Sequence, residues 1–188
     1  KGEIERAIAQ LEPGLNLCQA MNLRLELPFV ASFLGIAYAY VDRIADAIAL
    51  AERAVEEMRA LNIHSGRSWI VGFLGYVYLL AGQTSKAIHL MQHALDLAQR
   101  HNERGWVAWE HHILGLAWSS EGGASIDKAK VSLERAIEDA STLQLRPLIA
   151  RSQLALGQLH RRMGLKDSAR CYLDEAAGAL KELQMPIW

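Results

Sequence analysis

The stretch Phe73–Ala94, FLGYVYLLAGQTSKAIHLMQHA, holds a Leu-Gly pair, a turn and two alanines seven residues apart. A lone Leu-Gly means little. The same skeleton, however, returns along the chain. Leu34-Gly35, Leu74-Gly75, Leu114-Gly115 and Leu156-Gly157 follow one another at intervals of 40, 40 and 42 residues. Ala47, Ala87, Ala129 and Ala169 come after them, and Ala54, Ala94, Ala136 and Ala176 stand seven residues further on. An amide closes each unit: Asn22, Asn62, Asn102, Gln144 and Gln184. Self-similarity at this period is the mark of a repeat array.

Each unit reads as two helices. The first carries the Leu-Gly pair. Between the two lie turn signals: Asp42, Gly82 with Thr84 and Ser85, Gly122-Gly123 with Ser125, and Gly164 with Asp167. Gly supplies a left-handed end for the first helix, and Ser, Thr or Asp is expected to cap the second. The second helix, such as DAIALAERAVEEMRAL, is amphipathic, with Glu52, Arg53, Glu56 and Glu57 toward water. Pro28 and Pro147 sit near the starts of first helices, where a missing N–H costs little. Gly35 and Ala47 are expected to meet where two antiparallel helices cross, and Ala54 to admit the next unit. The third unit is longer by two residues, in the loop SSEGGASID. Near the N-terminus Ala7 is in step with Ala47, but Pro13-Gly14 is expected to bend or break that helix.

Leu74-Gly75, Tyr78, Ala87 and Ala94, like Leu34-Gly35, Tyr38, Ala47 and Ala54, resemble the tetratricopeptide repeat. The resemblance covers essentially the whole chain. It departs in period, in Trp118 and His160 at the tyrosine position, and in lacking a closing proline. Long units of this type are similar to arrays at the C-terminal end of bacterial multidomain signalling proteins, among them nucleotide cyclases and ATPase-bearing transcriptional activators. The ending LKELQMPIW is similar to that group as well. The resemblance implies an all-α, right-handed solenoid of antiparallel helical hairpins forming one array. Residues 1–22 are then the second helix of a truncated repeat. Residues 23–62, 63–102, 103–144 and 145–184 are full repeats, and 185–188 begin another. The chain starts at Lys1 rather than Met, so it is expected to be a piece of something longer, with ends that lean on other domains or a partner.

On a helical wheel, Phe29, Phe33, Ile36 and Tyr40 fall together about a third of a turn from Gly35. The equivalent rows are Trp69, Phe73, Tyr76 and Leu80, then Trp109, Ile113, Leu116 and Ser120, then Arg151, Ala155, Gln158 and Arg162. By the resemblance this face lines a concave groove, with His112 on its side. Left open, the apolar positions would expose roughly 500–1,000 Å², against the ~300–600 Å² of the largest patch on a typical monomer. Internal packing, an apolar helix of a partner, a second copy or a small molecule would each cover it. The lysines and asparagines by which some tetratricopeptide domains hold a terminal carboxylate are absent here: Ser32 and Ile36, Gly72 and Tyr76, His112 and Leu116, Leu154 and Gln158 stand there instead. Arg151, Arg161 and Arg162, with Arg146 nearby, are a possible anion contact.

Little else points to chemistry. Lys plus Arg total 20 and Asp plus Glu 21, a balance unlike that of a nucleic-acid binder. No apolar run nears the ~20 residues of a membrane span. His89 and His93 stand four apart, but HLMQH lacks the glutamate of a metalloprotease helix. Gly122-Gly123 lacks the lysine of a phosphate loop, and no nucleophile signature appears. Cys18 and Cys171 fit no metal or redox spacing and are expected to pack as small apolar residues; free thiols suit a reducing cytoplasm. The expectation is a non-enzymatic module without cofactor or metal. It would regulate a larger signalling protein by binding a protein or peptide helix in the groove. A homo-oligomerisation scaffold, for which a homodimer is one form, or a small-ligand sensor acting on an upstream ATPase or cyclase, is the alternative.

Overall fold

The computed structural model describes residues 2–62 and 66–185. Among these it contains nine α-helices and no strand: α1 Gly2–Ala20, α2 Leu27–Tyr40, α3 Ile44–Ala60, α4 Arg67–Leu80, α5 Thr84–Arg100, α6 Arg104–Glu121, α7 Ile126–Thr142, α8 Arg146–Arg162 and α9 Lys166–Glu182. The helices alternate as the repeat requires, with α2, α4, α6 and α8 carrying Leu-Gly. The chain divides into two compact units, residues 1–97 and 98–188.

The helix ends explain the periodic amides. Asn22, Asn62, Asn102, Gln144 and Gln184 all adopt left-handed backbone, with φ between 52 and 55°. The residue after four of them returns its N–H five residues back, as in Leu23 to Cys18 (2.8 Å), Glu103 to Ala98 (2.8 Å), Leu145 to Ala140 (2.9 Å) and Met185 to Leu180 (2.9 Å). This closure satisfies carbonyls that a helix end otherwise leaves bare. Asp42, Gly82 and Gly164 do the same after α2, α4 and α8, with φ of 65, 72 and 78°. Asp42 is thereby spent on the turn, one residue too early to cap α3, whose N-cap is Arg43. The expected side-chain caps are accordingly not made at α3, α7 or α9. Ser125, at the N-cap of α7, gives its hydroxyl to Glu121 instead. The two-residue lengthening of the third unit falls at a short 3-10 helix, Gly123–Ser125, entered through Gly122 at φ 72° and ψ −159°, a conformation essentially reserved for glycine. Pro28 and Pro147 occupy the first turns of α2 and α8. Pro13 does not break α1, which runs through it.

In the first unit, α2 packs on α1, α3 and α4, and α3 on α4. A Cβ added at Gly35 would lie 3.2 Å from the Ala47 carbonyl oxygen, and one at Gly75 would lie 2.9 Å from the end of Met91. Leu34, Ala47, Ala51, Leu74, Val77 and Ala87 form the main core, and Ala31, Ala54, Met58 and Ile70 a second cluster. Burying a leucine such as Leu34 is worth ~1.5–3 kcal/mol, and only small residues at the crossing let the helices approach closely enough for it. A polar link recurs beside this core. The Tyr38 hydroxyl donates to Glu12 at 2.7 Å, and one repeat later Tyr78 donates to Glu52 at 2.5 Å. Arg43 lies over the Tyr38 ring and reaches Glu12 and Asp46. The bond to Glu52 pushes the Tyr78 hydroxyl up to about 12.

In the second unit, α6 pairs with α7 and α8 with α9, while α7 and α6 both touch α8. A Cβ at Gly115 would meet Leu133 at 2.5 Å, and one at Gly157 would meet Leu173 at 2.8 Å. Ala129, Leu133, Ala155, Leu156 and Leu159 form its core, with Ala108, Ala140 and Leu148 clustered nearby.

Candidate functional site

The uncharged half-helix Ser32–Tyr40 is almost wholly inside. Between Ser32 and Tyr40 only Phe33 and Tyr40 are exposed, by 47% and 48%. Residues four apart share a helical face, and α2 lies against α4, so two short aromatic rows meet side by side. Phe29 stacks on Trp69 with ring centroids 4.9 Å apart. Phe33 stands 5.7 Å from Trp69 and 5.3 Å from Phe73, edge-on to the latter. Trp69 and Phe73 close the group at 5.0 Å. Such tilted and edge contacts each add ~0.5–1.5 kcal/mol beyond burial. Phe73 is buried, Phe29 and Trp69 are half-buried, and Phe33 stands outermost. Two turns along, Tyr40 meets Tyr76 edge-on, their hydroxyls 2.6 Å apart. Ile36 and Leu80 pack against the main core.

The third row differs. His112 and Ile113 are buried, and Leu116 packs on the core of the second unit. Trp109 lies against Ala108, Ala140 and Leu148, its ring 5.9 Å from that of His112. His112 Nδ1 is 2.9 Å from the Ser152 hydroxyl of α8. Burial, reinforced by Arg151, drops its pKa to about 3, so it stays a neutral imidazole committed to Ser152. In this unit α8 supplies the groups that His112 and Trp109 face.

The arginines do not converge. Arg151 and Arg162 share a face of α8 but stand three turns apart, ~16 Å, and Arg161 points ~100° away. Arg162 donates to the carbonyl and hydroxyl of Ser119, and Arg146 is paired with Glu182 at 2.6 Å. Cys18 is buried as expected; Cys171 is exposed, its thiol on Glu175, which pushes it up. His89 and His93 are both exposed. Among the described residues no group of three or more His, Cys, Asp or Glu side chains could hold a metal ion, and no helix is long and apolar enough to cross a membrane.

One buried group escaped the reading of the sequence. Glu110 is wholly buried, and neither carboxylate oxygen has a hydrogen-bond partner. Burial, with a smaller push from Glu103, raises its pKa well above the ordinary carboxylate range. Its neighbour His111 lies 3.9 Å from Asp139 and is lowered by burial. The signal was present: in the 40-residue register Glu110 takes the place of the buried Ile70.

The comparisons agree with this architecture. A family model described as tetratricopeptide repeat matches residues 26–100. No curated protein matches the chain. Among solved structures, the nearly identical TPR-like repeats of a kinesin light chain from Podosopora anserina are 22% identical, with a TM-score of 0.67 over 97% of this chain and 89% of that one. BtubC from P. vanneervenii is 19% identical, with a TM-score of 0.73 over 100% of this chain and 77% of that one. A Rap protein complexed with competence and sporulation factor is 14% identical, with a TM-score of 0.86 over 97% of this chain and 51% of that one. The chain thus has the TPR-like, all-α fold of helical-hairpin solenoids.

Proposed function

We propose that this chain is a non-catalytic module that binds a protein or peptide partner through the aromatic face of α2 and α4, within a larger bacterial signalling protein. The partner is an apolar or amphipathic helix. The observation that carries the reading is the edge of the ring cluster, where Phe33 is 47% exposed on a base of Phe29, Trp69 and Phe73. A large ring held rigid by neighbours and left wet is the anchor that interfaces favour, since ordering it costs little further entropy. The fold supports the reading: one structure of like architecture is a Rap protein complexed with a factor. The buried His112 and Ile113 narrow the proposed face to Phe29, Phe33, Tyr40, Trp69 and Tyr76.

The test is a helical peptide selected from a displayed amphipathic library against the purified chain, with affinity read by fluorescence anisotropy. Phe33→Asp is expected to weaken binding at least tenfold while helical circular dichroism persists, because a buried ring is worth ~1.5–3 kcal/mol. Selected peptides that bind equally well to Phe33→Asp and Tyr40→Asp would overturn the proposal.

A further inference from the structure

We propose that the partner helix brings a lysine or arginine to one end of the aromatic face, the end marked by Tyr40 and Tyr76; the assignment rests on the binding role proposed above for that face. Phe29 pairs with Trp69, Phe33 with Phe73 and Tyr40 with Tyr76, in ascending order along both helices. α2 and α4 therefore run the same way, and both finish at the tyrosine end. A helix C-terminus carries about half a negative charge, which a basic residue in the last turn offsets. Neither α2 nor α4 has one. Asp42, exposed two residues past Tyr40, adds a full negative charge and has no ion pair among the described residues.

The basic residues that follow each helix are spent elsewhere. Arg43 lies over the Tyr38 ring at 3.7 Å and binds Glu12 and Asp46, and Lys86 lies over the Tyr78 ring at 4.9 Å. Tyr38 and Tyr78 are each two residues from Tyr40 and Tyr76, about 200° round the helix. The chain thus covers the tyrosines of its core flank with its own cations. Among the described residues none covers Tyr40, whose ring is 48% exposed. An aromatic face attracts a cation through its quadrupole. The Tyr40 hydroxyl, 2.6 Å from that of Tyr76, also keeps an acceptor lone pair whichever of the two donates.

The far end of the face has the other sign. α2 and α4 begin there without an acidic residue in the first turn, and Arg24 and Arg67 outnumber Glu26. A partner's carboxylate is repelled at the tyrosine end, and its ammonium or guanidinium is drawn there. Phe33 and Tyr40 stand seven residues apart on one helix, ~10 Å. The occupant is therefore an amphipathic helix with an apolar side chain on Phe33 and a Lys or Arg two turns away along its own axis.

The probe is a displayed library of amphipathic helices, panned on the whole chain, with an apolar anchor fixed and the residues seven positions to either side randomised. Among clones that Phe33→Asp releases, Lys or Arg is expected at one of these positions in place of Asp and Glu. One such peptide, synthesised with Lys or Glu there, should bind roughly tenfold tighter with Lys, by anisotropy. Added salt should erode that preference. Asp42→Asn combined with Tyr40→Leu should reduce it to about twofold or less, with circular dichroism reporting the fold. Asparagine tolerates the left-handed backbone that Asp42 holds at φ 65°. Equal affinity of the two peptides, or a preference for Glu, overturns the inference, and so does a Lys preference that the paired substitutions leave intact. Absence of any clone released by Phe33→Asp removes the binding role and the inference together. Clones so released that lack a basic residue remove the inference alone.

Discussion

Glu110 brings a carboxyl group to a place that Ile70 fills with hydrocarbon one repeat earlier. Unpaired and fully buried, it is held in the protonated form. The sign of the linkage follows. In the unfolded chain the carboxyl titrates in its ordinary range, and in the folded chain well above it. Between those values the folded state binds the extra proton, so stability is full below the unfolded pKa and is lost as pH rises through the folded one, by about 1.4 kcal/mol per pH unit. Glu110→Ile should raise the urea midpoint at pH 8 more than at pH 5. An equal gain at both would show that the carboxyl does not titrate on folding. His112 acts in the opposite direction. Its pKa of about 3 lies below the unfolded value, so its contribution is whole above the ordinary imidazole range and is lost as pH falls toward 3. Ser152→Ala leaves Nδ1 without its partner and should cost about 1–3 kcal/mol by denaturant unfolding.

At the scale of the helix, the ends and the polar links carry testable weight. Left-handed backbone costs a residue with a Cβ roughly 1–2 kcal/mol, and glutamine lacks the short side chain that helps asparagine there. Gln144, at φ 55°, is therefore the favourable place for a glycine. Gln144→Gly should stabilise the chain by roughly 1 kcal/mol, and a fall in thermal midpoint would sink that account. The Tyr–Glu links form a series in register: Glu12 with Tyr38 and Glu52 with Tyr78. Glu134 of α7 and His160 of α8 stand at the same places, and both ring nitrogens of His160 lack a partner. Burial lowers the pKa of this histidine, so protonation does not readily supply the missing contact. His160→Tyr should restore a hydroxyl-to-carboxylate bond from α8 to α7 and add about 0.5–1.5 kcal/mol. The mutant's urea midpoint reads it directly, and a decrease would mean that Tyr172, 5.4 Å away, leaves no room.

Across the whole molecule the two thiols give a check that needs no partner. Cys18 is buried and Cys171 exposed, so a thiol reagent should modify one cysteine in the native chain and the second only on unfolding. Fast double labelling would contradict the packing of α1. The repeat period, the helix order, the Leu-Gly crossings and the turns were all legible in the residues, because each depends on spacing along one or two adjacent helices. The amides were visible too, though their left-handed geometry was not. What the eye could not take from the sequence was exposure. Phe33, Phe73 and Ile113 sit at equivalent wheel positions or close to them, yet one is half exposed and the others are buried. Periodicity says which residues share a face of a helix. Only the tertiary structure decides how closely the neighbouring helices cover that face, because burial depends on side chains carried by other helices, as Trp69 and Phe73 of α4 are against Phe33 of α2. For the same reason the carboxyl of Glu110, an ordinary letter in an amphipathic pattern, becomes a buried acid only when the surrounding helices close over it.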